Sequence, residues 1–483
     1  MLNHSPPLPL IINYQDTCAN MTAEDEEGIL LALRCHDRVR RIVLHAPPHG
    51  LQKFLTAMNE NFITLERLSI LSTSGDAPTL LMPRAFQAAR LSHLTLLGVT
   101  LSSKPRSLSP TVSLVSLTLT NFQTSPLVPL EDLTAQLRFV LLLNELSISF
   151  SVPIPRSRIH MPGIETPITR ATLPALIRFI SHGLNTYLEG ILAQISDPCL
   201  RKFDITLFNQ LILALPVISR FIDATADIRF PVAKINFCQN RSFSISISDN
   251  REEVQGADRS VCVEVSCRQF DSQVSYAAQI CNALWWMLPG VEELAVDFSE
   301  HAPGTIMPPE SRKEVDSKTW CHLLVPFKSV KKLRVGRALT SDLSRALHPA
   351  EEQLLPVGLS LVPVLQELVL EEGCDADAFA AFVDARRRVG RPVCIRGLPV
   401  LRPSPLRRDS GAAGAKANAS SPSTLSLSRL PRRGNHISSS QRRPMPISLN
   451  PRIYSLLAPD LNNSDSEASP STPTRSHNYL TRL

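Results

Sequence analysis

The chain has 483 residues, 43% of them hydrophobic, and a formal net charge of +6. Its longest apolar runs, such as residues 211–217, are far too short to span a bilayer. No basic flank marks a secretory signal at the N-terminus, and the ten cysteines show neither a CxxC pair nor zinc-ligand spacing. We therefore expect a cytoplasmic or nuclear protein with reduced thiols, no membrane span, no metal and no other cofactor.

Residues 1–38 are interpreted as an N-terminal segment that contains the first helix. Thr22 is a suitable N-cap for "AEDEEGILLALR", because its hydroxyl can accept from the first turn and the acidic residues there favour the helix dipole. A second helix is predicted in "GLQKFLTAMNEN", where Leu51, Phe54, Leu55 and Met58 recur at the spacing of one helix face.

From residue 39 to residue 400 a short strand pattern recurs, in which three apolar residues are separated by two residues and then by one. Its first five copies start 26, 26, 23 and 29 residues apart. A unit of that length, with one strand and one helix or turn, is typical of a leucine-rich repeat. The copies are Val39/Ile42/Leu44, Leu65/Leu68/Ile70, Leu91/Leu94/Leu96, Leu114/Leu117/Leu119, Leu143/Leu146/Ile148, Leu200/Phe203/Ile205, Val232/Ile235/Phe237, Val291/Leu294/Val296, Val330/Leu333/Val335 and Leu365/Leu368/Leu370.

The repeat is irregular. The step from Leu143 to Leu200 is 57 residues, and a helical segment near Leu173 is expected within it. The regular pattern places Asn or Cys three residues after the last apolar position, and only Asn240 satisfies it. The predicted fold class is α/β, an irregular leucine-rich-repeat-like solenoid over residues 39–400. The alternative is a non-repetitive α/β domain with chance matches to the pattern.

Three elements in the second half of the sequence, a hairpin and two helices, are predicted from patterns other than the repeat. "RSFSISISDN" and "SVCVEVSC" alternate strictly, which predicts an inserted hairpin. "SQVSYAAQICNALWWMLPG" predicts a helix that buries Trp285 and stops at Gly290. "DADAFAAFVDARRRVG" predicts a helix that ends in basic residues and Gly390.

A disordered tail is predicted over residues 401–483, which are rich in Ser, Pro and Arg. The tail carries 12 Lys and Arg against 4 Asp and Glu, whereas the first 400 residues carry 38 against 40. A fold so nearly neutral is not expected to bind nucleic acid. Candidate phosphorylation sites in the tail are Ser410, Ser466, Ser469 and Thr472.

Side chains between the apolar positions of each strand are expected to face outward on the concave side of the sheet. They are polar with mixed charge, which favours a protein-binding surface, although a solvated face without a partner is the alternative. The candidate binding residues are Arg67, His93, Glu145, Lys202, Asp204, Lys234, Asn236, Glu293, Asp297, Lys332, Arg334 and Glu367.

Catalytic motifs are missing from the sequence. No phosphate-binding loop, dinucleotide fingerprint, HExxH or GxSxG stretch occurs, and the twelve histidines are dispersed. We therefore expect a non-enzymatic protein.

Several blocks resemble the region that follows the F-box in a large group of fungal, basidiomycete-type F-box proteins. They are "SPPLPLIINY", "TAEDEEGILLALRCHDRVRRIVLHAP", "LNTYLEGILAQISDPCLRKFDITLFNQLILALPVISRFIDATADIRF" and "LWWMLPGVEELAVDFSE". In that family the F-box binds the Skp adaptor of a cullin ubiquitin ligase, and the leucine-rich region is thought to hold the substrate. Only four residues precede the first block, so the F-box is expected to be absent from this chain.

Two functional hypotheses follow. The first is a substrate-receptor-like protein related to F-box subunits, which would reach the Skp adaptor and cullin only if an F-box is supplied. The second is a stand-alone leucine-rich interaction scaffold with a phosphoregulated basic tail and no ligase role.

Overall fold

The computed structural model of the protein describes residues 8–15, 21–73, 80–83, 86–100, 113–120, 130–150, 170–196, 198–208, 215–225, 230–238, 242–249, 259–299, 315–348 and 361–397. The chain divides into two units, Met1–Ser404 and Pro405–Leu483, and every described residue belongs to the first. The predictions for the tail, for its four phosphorylation sites and for Asn240 lie outside the described residues.

Nineteen strands are present in the described part of the chain. They are β1 Leu10–Gln15, β2 Val39–Ala46, β3 Arg67–Ser72, β4 Leu80–Leu81, β5 His93–Leu97, β6 Val99–Thr100, β7 Ser116–Thr120, β8 Glu145–Ser149, β9 Ala171–Thr172, β10 Arg178–Gly183, β11 Ile195–Ser196, β12 Lys202–Phe208, β13 Val232–Cys238, β14 Ser242–Ser248, β15 Ser260–Ser266, β16 Glu293–Ser299, β17 Lys332–Val335, β18 Glu367–Leu370 and β19 Cys394–Gly397.

Fifteen of these strands form one sheet, in the order β1-β2-β3-β5-β7-β8-β10-β12-β15-β14-β13-β16-β17-β18-β19. Neighbours are parallel except where β14 meets β13 and β15. The predicted mixed α/β fold on a parallel sheet is confirmed at this level, whereas the solenoid stays a prediction.

Nine α-helices connect or flank the described strands. They are α1 Ala23–Arg34, α2 Pro48–Ala57, α3 Leu130–Leu137, α4 Asn185–Ala193, α5 Pro216–Thr225, α6 Phe270–Ala283, α7 Ser317–Leu324, α8 Thr340–Leu347 and α9 Ala380–Arg388. The Thr22 cap of α1 is confirmed, since Asp25 N donates to Thr22 Oγ1 at 3.1 Å and Thr22 N donates back to Asp25 Oδ2 at 3.3 Å. Gly390 follows α9 at φ +73°, a conformation that suits glycine.

The core consists of the apolar positions of the repeated pattern. All ten copies overlap strands of the sheet, and in nine of them all three apolar residues are buried. Copy Val232/Ile235/Phe237 is shifted, because Val232 is half-exposed although Ile235 and Phe237 are buried, and the buried residues Phe230, Ala233 and Ile235 have the spacing of the pattern. The shift leaves the outward positions unchanged, since the side chains of a strand alternate with a period of two.

The prediction of a helix near Leu173 was wrong. Residues 171–172 form β9, and the following strand β10 completes the unit missing between Leu143 and Leu200. Its pattern begins with Leu176 and Phe179, but its third position is Ser181, which is 3% exposed. The strand β10 was not recognised in the sequence because a buried serine occupies the place of an apolar residue.

The predicted hairpin is confirmed, with Phe243, Ile245 and Ile247 opposite Val265, Val263 and Val261. However, it is not an insertion beside the sheet. β15 pairs with β12 and β14 pairs with β13, so both hairpin strands are built into the main sheet.

The predicted burial of Trp285 was also wrong. Helix α6 ends at Ala283, and the C-cap Leu284 has φ −100° and ψ 17°, so the helical period does not continue to Trp285. Trp285 is 63% exposed. Its neighbour Trp286 is half-buried, and its indole N–H donates to Ser219 Oγ at 3.3 Å.

Candidate functional site on the polar face of the sheet

The strict alternation of apolar and polar residues gives the sheet two unlike faces. In β5, Leu94 and Leu96 are buried, whereas His93, Thr95 and Leu97 are half-exposed. The same alternation recurs in β3, β7, β10, β12, β13, β15 and β17, whereas parts of β8, β14, β18 and β19 depart from it. We call the side that carries His93, Thr95 and their register partners from β2 to β19 the polar face.

A repeated backbone hydrogen bond holds the strands of the polar face in register. Glu66 O accepts from Ser92 N and His93 N at 2.9 and 3.1 Å, and Ser92 O accepts from Val115 N and Ser116 N at 2.8 and 3.0 Å. The arrangement repeats at Val115 O, Asn144 O and Ile177 O, and again beyond the hairpin at Pro231 O, Glu292 O and Lys331 O. Corresponding side chains of neighbouring strands therefore stand opposite each other, about 4.8 Å apart.

This register arranges the predicted residues in rows. The amino-end row lies where the parallel strands begin, and it contains seven of the twelve candidates. In sheet order it is Arg41, Arg67, His93, Ser116, Glu145, Arg178, Lys202, Ser260, Ser248, Val232, Glu293, Lys332, Glu367 and Cys394. Asp204, Lys234 and Arg334 lie in the next row, and Asn236 and Asp297 lie in the one beyond it.

In the half of the polar face formed by β13 and β16 to β19, charged residues neutralise one another. Four ion pairs cross between strands or reach the loop after β18, and Ser299 Oγ donates to Asn236 Oδ1 at 2.9 Å. The pairs are Lys234–Asp297 at 3.1 Å, Lys332–Glu293 at 3.8 Å, Arg334–Glu371 at 3.1 Å and Arg396–Glu367 at 3.3 Å.

In the other half, formed by β2, β3, β5, β7, β8, β10 and β12, fewer charges are paired. Glu145 accepts from Arg178 at 2.9 Å and from Ser116 Oγ at 3.4 Å, and at the start of β3 Glu66 pairs with Arg40 at 2.9 Å. Four cations form no ion pair within the described part of the chain. They are Arg41, Arg67, Arg201 and Lys202.

The titratable groups of this half adjust to their surroundings. Burial and the nearby Arg67 lower the pKa of His93, although Glu145 opposes the shift, so this imidazole is uncharged at neutral pH. Burial also lowers the pKa of His182, whose Nδ1 lies 3.3 Å from Ser149 Oγ. Burial raises the pKa of the Asp204 carboxyl against the opposing charge of Lys202. Asp204 still contacts solvent, and the surrounding sheet removes only part of its hydration.

The sequence interpretation missed several charged residues of the site, among them the following four. Arg41 lies in the first copy of the pattern, whose outward residues were not considered. Arg178 lies in the unrecognised β10, and Arg396 lies in β19, where "PVCIRG" lacks three apolar positions. Glu371 follows β18 directly. Of these four residues, only Arg41 has a sequence signal that was sufficient to find it, the alternation of apolar and polar residues around it.

Among the described residues, no three His, Cys, Asp or Glu side chains are grouped so that they could hold a metal ion. The helices within the described ranges are all too short or too polar to cross a membrane.

Comparison with known proteins adds little. No family model matches the chain, and no curated protein does. Among solved structures, the leucine-rich repeat-containing protein LegL7 from Legionella pneumophila matches at 10% identity, covering 79% of this chain and 99% of that one, with a TM-score of 0.27. A likeness this low carries no argument about fold or function.

Proposed function

We propose that the protein is a non-enzymatic interaction module that binds a protein partner through the polar face. The observation that carries the proposal is the face itself, an ordered array of half-exposed polar side chains repeated on neighbouring strands of one sheet. The seven strands from β2 to β12 alone extend over about 30 Å, which is wide enough for an interface of ordinary size. The mixture of charge and hydroxyl groups suits recognition of a protein surface.

We further propose that the partner is the substrate of a cullin ubiquitin ligase. The resemblance of several sequence blocks to fungal F-box proteins supports this role, in which the Skp adaptor and cullin would bind only if an F-box is supplied. The alternative is a stand-alone interaction scaffold with a phosphoregulated tail, which requires the same polar face and no ligase subunit. Either role belongs in the cytoplasm or nucleus.

Substitution Thr118→Trp tests the binding role. Thr118 is half-exposed on β7 between Thr95 and Ser147, so a large ring there obstructs the face without entering the core. Gln52→Trp is the matched control, because Gln52 is exposed on α2. The tagged full chain and both variants are used for affinity purification from native cells with quantitative mass spectrometry.

We expect one set of proteins to be recovered with the wild type and Gln52→Trp, and to be depleted about tenfold or more with Thr118→Trp, since a bulky group at an interface core removes close packing. Equal recovery of these partner proteins with the wild type and with both variants would contradict binding through the polar face. Skp adaptor and cullin among the recovered proteins support the receptor role, and a face-dependent partner without them supports the scaffold.

A further inference from the structure

We infer that the half of the polar face formed by β2, β3, β5, β7, β8, β10 and β12 binds an extended acidic segment of a partner protein. This inference rests on the proposed function and names the chemistry of the partner. It follows from the difference in charge pairing between the two halves of the face, since fewer charged residues are paired in this half.

Like charges stand opposite each other at the β2 end of the amino-end row. Arg41 and Arg67 are register partners on adjacent parallel strands, an arrangement that is unfavourable without an intervening anion. The neighbouring His93 is uncharged at neutral pH, and Glu66 is already bound to Arg40. Two guanidinium groups are therefore available to a carboxylate from outside, and guanidinium geometry suits carboxylates well.

A second cationic position lies at the β12 end of this half of the row. Lys202 begins β12 and Arg201 directly precedes it, and neither forms an ion pair within the residues that the structure describes, although the Asp204 carboxyl further along β12 attracts Lys202. Between the two positions, Glu145 is neutralised by Arg178, and the remaining side chains of the surface are mostly hydroxyls, which can donate to and accept from a peptide backbone. These hydroxyls belong to Thr95, Ser116, Thr118 and Ser147.

The spacing of the two cationic positions fits an extended peptide. Arg67 on β3 and Lys202 on β12 are five strand-to-strand steps apart, which corresponds to about 24 Å. An extended chain covers that distance in about seven residues. The segment inferred here has acidic residues at both ends and an uncharged middle.

A nucleic acid fits the same surface less well. Its phosphates follow one another at short, regular intervals, whereas the middle of this row has no cation that is free of a carboxylate. A peptide can place its acidic residues only where the cations are. The half of the face formed by β13 and β16 to β19, whose charged residues pair with one another, serves as the comparison in the binding test.

The test measures binding of a fluorescein-labelled peptide with aspartate pairs at both ends and a Ser/Gly middle to the full chain, by fluorescence anisotropy. A peptide with asparagine in place of aspartate and an oligothymidylate serve as comparison probes. The double variant Arg41→Ser/Arg67→Ser is compared with Lys331→Ser/Lys332→Ser. Both remove two positive charges from the strand starts of the sheet, but Lys331 and Lys332 form ion pairs with Glu292 and Glu293.

We expect the arginine variant to weaken binding of the aspartate peptide about tenfold, and the lysine variant to change it less than about twofold. No binding of the aspartate peptide, equal binding of the asparagine peptide, or equal weakening in both variants would overturn the inference. Arginine-dependent binding of the oligothymidylate in place of the peptide would overturn it in favour of a nucleic acid. The Thr118→Trp result is independent, so a face-dependent partner can persist when the acidic peptide fails.

Discussion

Replacement of Trp320 by alanine is expected to lower the free energy of unfolding by about 3–5 kcal/mol. Trp320 lies on α7 and is 0% exposed. Its ring centroid is 5.8 Å from that of Phe237 on β13 and 6.2 Å from that of Phe270 on α6. The side chain therefore joins two helices to the sheet, and the truncation leaves a cavity that rigid neighbours cannot fill.

Trp285→Ala is the control, because the same deletion at a site that is 63% exposed is expected to cost no more than about 0.5 kcal/mol. Chemical denaturation followed by far-UV circular dichroism measures both variants. Equal destabilisation by the two substitutions would show that the aromatic cluster around Trp320 does not hold α6 and α7 on the sheet.

Replacement of Arg386 by alanine is the second large effect, with an expected loss of about 2–4 kcal/mol. Arg386 is 1% exposed, and its guanidinium donates to Pro363 O at 3.0 Å and Leu365 O at 2.8 Å. These carbonyls precede β18. The substitution leaves both without their donor, while relief of the buried charge offsets part of the loss.

The role of Arg386 is clear from earlier units of the sheet. Thr64 donates to the carbonyls of Asp37 and Val39, at 3.0 and 2.9 Å, which hold the corresponding positions before β2. Ser113 does the same for Ala89 and Leu91, at 3.0 and 3.2 Å. A small hydroxyl from the next unit thus satisfies this pair of carbonyls in both cases, and Arg386 replaces it at the last unit of the sheet.

Arg387→Ala provides the adjacent control. Arg387 is mostly exposed and pairs with Asp384 on the surface of α9 at 2.9 Å, an interaction worth a few tenths of a kcal/mol. Denaturant unfolding and amide hydrogen exchange in β18 and β19 are the measurements. Unchanged exchange in Arg386→Ala would mean that the guanidinium does not stabilise the end of the sheet.

The repeated apolar pattern made most of the sheet predictable, because a parallel strand buried on one face must place apolar residues at the same alternating positions each time. The prediction failed where one residue departed from the pattern. Ser181 concealed β10, and "PVCIRG" has too few apolar residues for β19 to be recognised. In β13, the half-exposed Val232 shifted the register without changing which residues face outward.

The residues of the polar face could be predicted one by one, but the ion pairs between them could not. Local alternation places Lys234 and Asp297 on the face, whereas their ion pair depends on the order β12-β15-β14-β13-β16, which is a long-range property of the sheet. The prediction that Trp285 is buried failed for a local reason, since no residue pattern in the sequence marks the end of α6 before Trp285. The asymmetry between the two halves of the face therefore emerges only from the folded chain.

Photo-crosslinking tests the central claim, that the polar face contacts a protein partner, most directly. Benzoylphenylalanine replaces Thr118 on the face or Gln52 on α2 in the full chain, and native cells are irradiated before purification. We expect a discrete crosslinked partner from position 118 and none from position 52. Crosslinks from position 52 alone, or the same products from both positions, would contradict it.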